Sequence, residues 1–194
     1  MMEFETLENK FAGYVGTKGC VAVNTGTAAL HVALEALQLP KDSEVIVPQY
    51  TMIATAWAVH YARLRPVFID CDDSLLIDID KIEEAITSKT NVYGRVVNME
   101  KIMLLANKYN LRVIEDAAEA HGCMWNGNMV GSYDIGCFSF YSNKIICGEE
   151  GGAVTSNDVE FLEVVRDMKS MSFGPEHNYM HNRIGFTTLY YPQK

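Results

Sequence analysis

The chain has 194 residues, 48% of them hydrophobic and 21% charged, with a formal net charge of −9. That is enough apolar residue for one globular domain, or part of a larger one, to bury a core. The acidic balance argues against a nucleic-acid or anionic-membrane surface as the main business. No apolar run is long enough to cross a bilayer, and the first ten residues lack the basic-then-apolar grammar of a signal peptide. Cys20, Cys71, Cys123, Cys137 and Cys147 are scattered, with no CxxC pair and no metal-ligand spacing. Such a set reads as reduced thiols in a cytoplasmic protein, each acting as a buried small hydrophobe.

In chain order, Phe4, Leu7, Phe11 and Val15 recur at helical spacing until Gly13 and Gly16 break the pattern. "CVAVN" reads as a short buried strand, and "TGTAALHVALEAL" as a helix with Leu30, Ala33, Leu34 and Leu37 on one face. "EVIVP" is a strand closed by Pro48, Thr51 to Ala62 a helix, and "PVFIDCD" a strand again. "DIDKIEEAI" is a helix whose acidic start suits the helix dipole. Asn98 to Tyr109 is another helix, with Ile102, Leu105 and Ala106 on its apolar side. "RVIED", "CFSFY" and "GGAVTS" are strands, and Asp158 to Met171 is the last clear helix. Near-continuously apolar strands alternating with helices predict an α/β fold: a mostly parallel sheet sandwiched by helices, with ligands at the carboxyl ends of strands.

One place breaks the alternation. Between the helix ending near Ile86 and the one starting at Asn98, "TSKTNVYGRVV" offers only Val92 and Tyr93 before Gly94. A crossover connection needs a strand there, so an internal strand is expected to be missing near residues 90–94.

The unusual residues gather at predicted strand ends. In "NTGTAAL", Gly26 permits close backbone approach, the first helix amides point outward, and Thr25 and Thr27 add hydroxyls, which together make a phosphate cradle. It is neither a Walker A loop nor a GxGxxG fingerprint, and a plain threonine-capped helix is the bland alternative. In "VIEDAAEAHG", Asp116 closes a strand, where it can hold a charged heterocyclic nitrogen or merely cap a turn. In "FSFYSNKIICGEEGG", Lys144 stands alone between an aromatic strand and a glycine-rich turn, where a surface lysine is the plain reading. Cradle, carboxylate and lysine together outline a site for pyridoxal 5'-phosphate: the lysine supplies the Schiff base, and the aspartate keeps the ring nitrogen protonated so that the ring is an electron sink.

These blocks, with "YVGTKGC", "SEVIVPQYTMIATAWAV" and "RPVFIDCD", resemble in order the DegT/DnrJ/EryC1/StrS sugar aminotransferases, which are fold-type-I pyridoxal phosphate enzymes. "EDAAEAHG" and the "NKI" around the lysine are most similar to the GDP-perosamine synthase subgroup. The resemblance implies that Lys144 carries the Schiff base and Asp116 pairs with the pyridinium nitrogen. It implies that Gly26, Thr27, Ala28 and Ser139 bind the cofactor phosphate and that Glu119 lies near the cofactor's oxygen edge. Met52 takes the place of the family's stacked aromatic ring; His121 belongs to the motif, or is only a packed histidine. The implied reaction is ping-pong amino transfer from glutamate to a nucleotide-linked 4-keto-6-deoxy sugar, in a cytoplasmic homodimer without nucleic-acid or membrane partners.

The same resemblance sets expectations about extent. Residues 1–186 correspond to the cofactor-binding large domain and 187–194 to a divergent tail, and the C-terminal small domain is expected to be absent. Two other readings follow: a catalytically inactive remnant that binds or assembles at most, and a sugar dehydratase of the same fold. The dehydratase is weakened because those relatives replace the lysine with histidine.

Overall fold

The computed structural model describes residues 2–87, 90–94, 98–173, 181 and 183–187. The helices are α1 (Met2–Val15), α2 (Gly26–Ala36), α3 (Ile53–Tyr61), α4 (Ile79–Ala85), α5 (Met99–Tyr109) and α6 (Val159–Lys169). The strands are β1 (Gly19–Val23), β2 (Glu44–Pro48), β3 (Arg65–Ile69), β4 (Thr90–Gly94), β5 (Val113–Asp116), β6 (Met124–Trp125), β7 (Asn128–Met129), β8 (Ile135–Ser139) and β9 (Gly152–Ser156). Seven strands form one sheet in the order β1-β9-β8-β5-β4-β2-β3, and β6 and β7 form a separate hairpin. Every neighbouring pair from β8 to β3 is parallel, whereas β9 runs antiparallel to both β8 and β1.

The strand expected to be missing is present. Thr90–Gly94 pairs with β2 from Glu44↔Thr90 to Ile46↔Val92 and with β5 from Val92↔Val113 to Gly94↔Glu115. Two flanking strands supply the hydrogen-bonding template that a segment with little apolar content does not announce by itself. Lys89, beside that segment, and the tail from residue 188 onward lie outside the described residues.

Alternation along the strands divides the core between two faces. Val21 and Val23, Val45 and Val47, Ile114, Ile135 and Cys137, and Val154 pack with Leu30, Leu34, Val59, Phe161 and Val165 of α2, α3 and α6. On the other face, Cys20, Phe138 and Ala153 meet Phe11 and Val15 of α1. Ile46 and Val113 meet Ile82, Met99, Ile102 and Ala106 of α4 and α5. Cys20 and Cys137 are buried as expected, but Cys123 and Cys147 are exposed and Cys71 is partly so. Among the described residues no helix is long and apolar enough to cross a membrane.

The outer edge of β1 is closed by side chains. Buried Glu8 accepts the Ala22 N–H at 2.8 Å and pairs with Lys169 at 3.1 Å and Arg166 at 2.6 Å. The Lys169 amine donates to the Ala22 carbonyl at 2.9 Å and Arg166 to the Cys20 carbonyl at 3.3 Å. Backbone groups that would otherwise template another strand are thereby used. Burial pushes the Glu8 carboxyl up, but Lys169, the Ala22 N–H and Arg166 together hold it below its ordinary range. Burial pushes the Lys169 amine down despite Glu8, with Arg166 adding to the depression. The carboxylate faces two cations, which outweigh its burial, whereas at the Lys169 amine burial outweighs the pairing with Glu8.

Glu115, in β5, points to the opposite face from Ile114 and Asp116. It is 2% exposed and accepts the N–H groups of Gly131 at 2.8 Å and Tyr133 at 2.9 Å. Burial raises its pKa to about 7 against those hydrogen bonds.

Two predictions follow from these carboxyls. Glu8→Gln leaves buried Lys169 without its carboxylate partner and takes one of two from Arg166, and should cost about 3 kcal/mol in urea unfolding near neutral pH. Because the folded value for Glu8 is depressed, its contribution is full above the ordinary value of 4.5 and is lost below it, so wild type and variant should converge in acid. For Glu115 the sign is reversed. The folded value is raised, so stability is lost as pH rises from 4.5 towards about 7, where the unfolded carboxyl ionises while the folded one stays neutral. Over that window wild type should lose up to about 3 kcal/mol relative to Glu115→Gln; a difference independent of pH would contradict the assignment.

Candidate active site

Strands β1, β2, β5 and β8 share one direction, so their carboxyl ends open on a single edge of the sheet. The segments that leave them carry the residues singled out from the sequence.

After β1, Thr25 caps α2. Its backbone is extended, its Oγ1 accepts the Ala28 N–H at 3.0 Å, and its carbonyl accepts the Ala29 N–H at 3.0 Å. Ala28 therefore gives its amide to the cap in this structure. The preceding amides of the opening turn belong to Gly26 and Thr27, both only partly buried. A Cβ on Gly26 would lie 2.6 Å from the Cβ of Ser139 and 3.1 Å from its Oγ. The end of β8 thus lies directly against the start of α2, and only glycine allows it. Gly152 makes a second close approach, since a Cβ there would lie 2.4 Å from the Thr25 carbonyl oxygen. Ser139 is buried, and its Oγ accepts the Tyr141 N–H at 3.3 Å. The Gly26 and Thr27 amides at the helix N-terminus and the Ser139 hydroxyl, brought together by two glycine-dependent approaches, form a donor set that fits a phosphate ester.

After β5, Asp116 lines a cavity of about 760 Å³ with Thr51, Met52, Glu119 and Cys123. Its Oδ2 accepts the Thr55 hydroxyl at 2.7 Å and its Oδ1 the Ala118 N–H at 3.3 Å. Both bonds favour the ionised carboxylate, the form needed to hold a cationic ring nitrogen. Thr55 was not among the residues expected here. Its signal was present, however: a hydroxyl in the otherwise apolar run "IATAWAV" must find a partner when buried, and Thr55 is fully buried.

Met52 is the residue before α3, is 67% exposed and makes no side-chain cap. It lines the cavity while remaining largely exposed. Glu119 meets Lys144 in an ion pair. Lys144 lies on the loop that joins β8 to β9, which is closed by Phe140 N–H to Gly151 O at 2.8 Å and Gly148 N–H to Phe140 O at 2.7 Å.

His121 is 4% exposed among the rings of Phe11, Phe138 and Phe140, with centroids 5.4–6.5 Å away. Burial lowers its pKa, and the positive charge of Lys144 adds to that while Glu119 opposes it. It is a packed histidine, not a wall of the cavity.

The placement thus joins Gly26 to Ser139, Asp116, Met52 and Glu119 to one cavity, and Lys144 to Glu119. Such a set can bind an anionic ester at one end, a protonated heterocycle at the other, and offer an amine between sheet edge and loop.

The chain is similar in sequence and fold to known proteins. GDP-perosamine synthase of Caulobacter vibrioides is 40% identical over 187 residues, which cover 92% of this chain and 50% of that enzyme. UDP-N-acetyl-3-dehydro-alpha-D-glucosamine 3-aminotransferase of Acidithiobacillus ferrooxidans is 42% identical over 191 residues, covering 94% and 51%. Streptomyces venezuelae DesV, solved in complex with a ketimine intermediate, superimposes with a TM-score of 0.90 at 33% identity over 95% of this chain and 52% of that one. The chain spans about half the length of the curated relatives it matches. The DegT/DnrJ/EryC1/StrS aminotransferase family matches residues 2–189, and the chain belongs to that family.

Proposed function

We propose that the chain carries the cofactor-binding half of a pyridoxal 5'-phosphate-dependent nucleotide-sugar aminotransferase, with glutamate as amino donor and a GDP-linked 4-keto-6-deoxy sugar as acceptor. The observation that carries the reading is the convergence of a lysine, a hydrogen-bonded aspartate and a glycine-dependent cradle on one sheet edge. The similarity to GDP-perosamine synthase supports the choice of acceptor, while the comparable similarity to an enzyme named for a UDP-linked sugar makes the nucleotide the first thing to test.

When bound, the cofactor supplies an electron sink that acidifies the donor's α-proton. The chain's own residues do the rest. Gly26, Thr27 and Ser139 hold the phosphate; Asp116, kept anionic by Thr55 and the Ala118 N–H, fixes the ring nitrogen in its protonated form. Lys144 supplies the amine, which must be neutral to react and to move a proton at the donor carbon. Glu119 orients that amine through their ion pair. Met52 covers one face of the cavity from solvent.

Two experiments test this reading. The full chain is incubated with pyridoxal phosphate, reduced with borohydride and mapped by peptide; the label should fall on the Lys144 peptide and vanish in Lys144→Ala. Glutamate should then release 2-oxoglutarate from the loaded chain, with GDP-linked keto sugar accepting the amino group better than its UDP-linked counterpart. Label spread evenly over surface lysines and unchanged by Lys144→Ala would overturn the proposal.

The second test concerns the cradle. Gly26→Ala puts a methyl 2.6 Å from the Ser139 Cβ, so the strand end or the helix start must move. The expected cost is about 1–3 kcal/mol of stability, with labelling at Lys144 needing at least tenfold more pyridoxal phosphate. Labelling by plain pyridoxal, which has no phosphate, should change little.

A further inference from the structure

Asp116 is held by a chain of hydroxyls that runs into α3. Thr55 Oγ1 donates to Asp116 Oδ2 at 2.7 Å, and Thr51 Oγ1 lies 3.1 Å from Thr55 Oγ1. A hydroxyl has one proton to give. Since Thr55 gives its proton to the carboxylate, Thr51 must be the donor to Thr55. The order is therefore fixed while Asp116 is ionised: Thr51 to Thr55 to Asp116. Thr55 is fully buried, while Thr51 is partly buried and stands on the wall of the cavity.

We propose that Thr55 is the positioning residue that keeps Asp116 an anion aimed at the cavity, and that Thr51 completes the relay by turning its own proton inward. Thr51 then presents oxygen lone pairs, and no proton, to whatever occupies the cavity. It can accept a hydrogen bond from a ligand hydroxyl or N–H, and it disfavours a ligand carbonyl or carboxylate at that point. Protonation of Asp116 at Oδ2 would reverse the relay and turn Thr51 into a donor. The charge at the ring-nitrogen site and the hydrogen-bonding sense of the cavity wall are thus one variable. This rests on the proposed role of Asp116, but the hydroxyl chain exists whether or not a cofactor binds.

The test uses the full chain without cofactor, labelled with ¹³C at aspartate carboxyl carbons, and follows the Asp116 signal against pH. A hydrogen bond to a charged group is a strong one, so Thr55→Val should raise the Asp116 midpoint by about one pH unit, a tenfold rise in proton affinity. Thr55→Ser keeps the hydroxyl and should restore the wild-type midpoint. Thr51→Val, at the cavity wall, should raise the midpoint by a smaller amount. The titratable groups around Asp116 are the same in all variants: Glu115 before it, Cys137 opposite it in β8, and Glu119 and Cys123 on the cavity wall, with Lys144 paired to Glu119.

A midpoint unmoved in Thr55→Val, or moved equally in Thr55→Ser, overturns the proposal. If Thr55→Val does not fold, Thr51→Val decides, and an unmoved midpoint there overturns it. Pyridoxal phosphate affinity is measured in parallel and should fall about tenfold in Thr55→Val with recovery in Thr55→Ser. Failure of Lys144 to take the label would defeat the proposed function but leave the carboxyl titration meaningful.

Discussion

The direction of β9 is the constraint on which the candidate site depends. A parallel connection from β8 would have carried the chain to the far edge of the sheet before it could pair again. Because β9 runs antiparallel, the loop after Ser139 leaves the site edge and returns to it at Gly152. Lys144 is therefore confined to a loop with both ends anchored at that edge. The same reversal places β9 between β1 and β8, where Gly152 touches the Thr25 carbonyl. Cradle and lysine are two consequences of one strand pointing the other way.

Adjacent carboxyls in β5 show how alternation assigns roles. Glu115 and Asp116 are neighbours in sequence but face opposite sides of the sheet. Glu115 is sealed under the loop that carries Gly131 and Tyr133, and burial outweighs those hydrogen bonds. It pins that loop and has no opening to a ligand. Asp116, at the strand end, stays partly open and receives a hydroxyl and an N–H. Sequence identity alone would give these two acids the same chemistry; depth in the sheet gives one to the fold and the other to the site.

Much of this was legible in the sequence because it is local. Continuous apolar runs marked β1, β2, β5, β8 and β9, and the unusual residues lay at their ends, where a mostly parallel sheet places ligands. What was not legible depended on partners far along the chain. "TNVYG" lacks the composition of a strand, and β4 forms because β2 and β5 flank it on both sides. The β6–β7 hairpin does carry a local signal: Asn126-Gly127, both with positive φ, in a two-residue turn. Ala28 fits the resemblance but gives its amide to Thr25, a detail that only cap geometry reveals. The Glu119–Lys144 pair could not be read either, since it joins a turn after β5 to a loop after β8.

The ion cluster on the outer edge of β1 belongs to the same mechanical unit as the site. Glu8, Arg166 and Lys169 bind the free edge of β1 through Ala22 and Cys20, and the chain runs from Ala22 through Val23 to the Thr25 cap within one short strand and turn. Without such partners the strand would keep its ladder to β9 and its apolar packing but lose the polar clamp on its outer edge. Its carboxyl end would then be held less firmly against Ser139. The contact between Gly26 and Ser139 leaves no room for a methyl group, so it tolerates little drift. The buried charges therefore act at a distance through a stiff element: α1 and α6 fix β1, and β1 fixes the first turn of α2 against the end of β8. A site whose donors are backbone amides must be built this way, because an amide can be aimed only by holding the strand or helix that carries it.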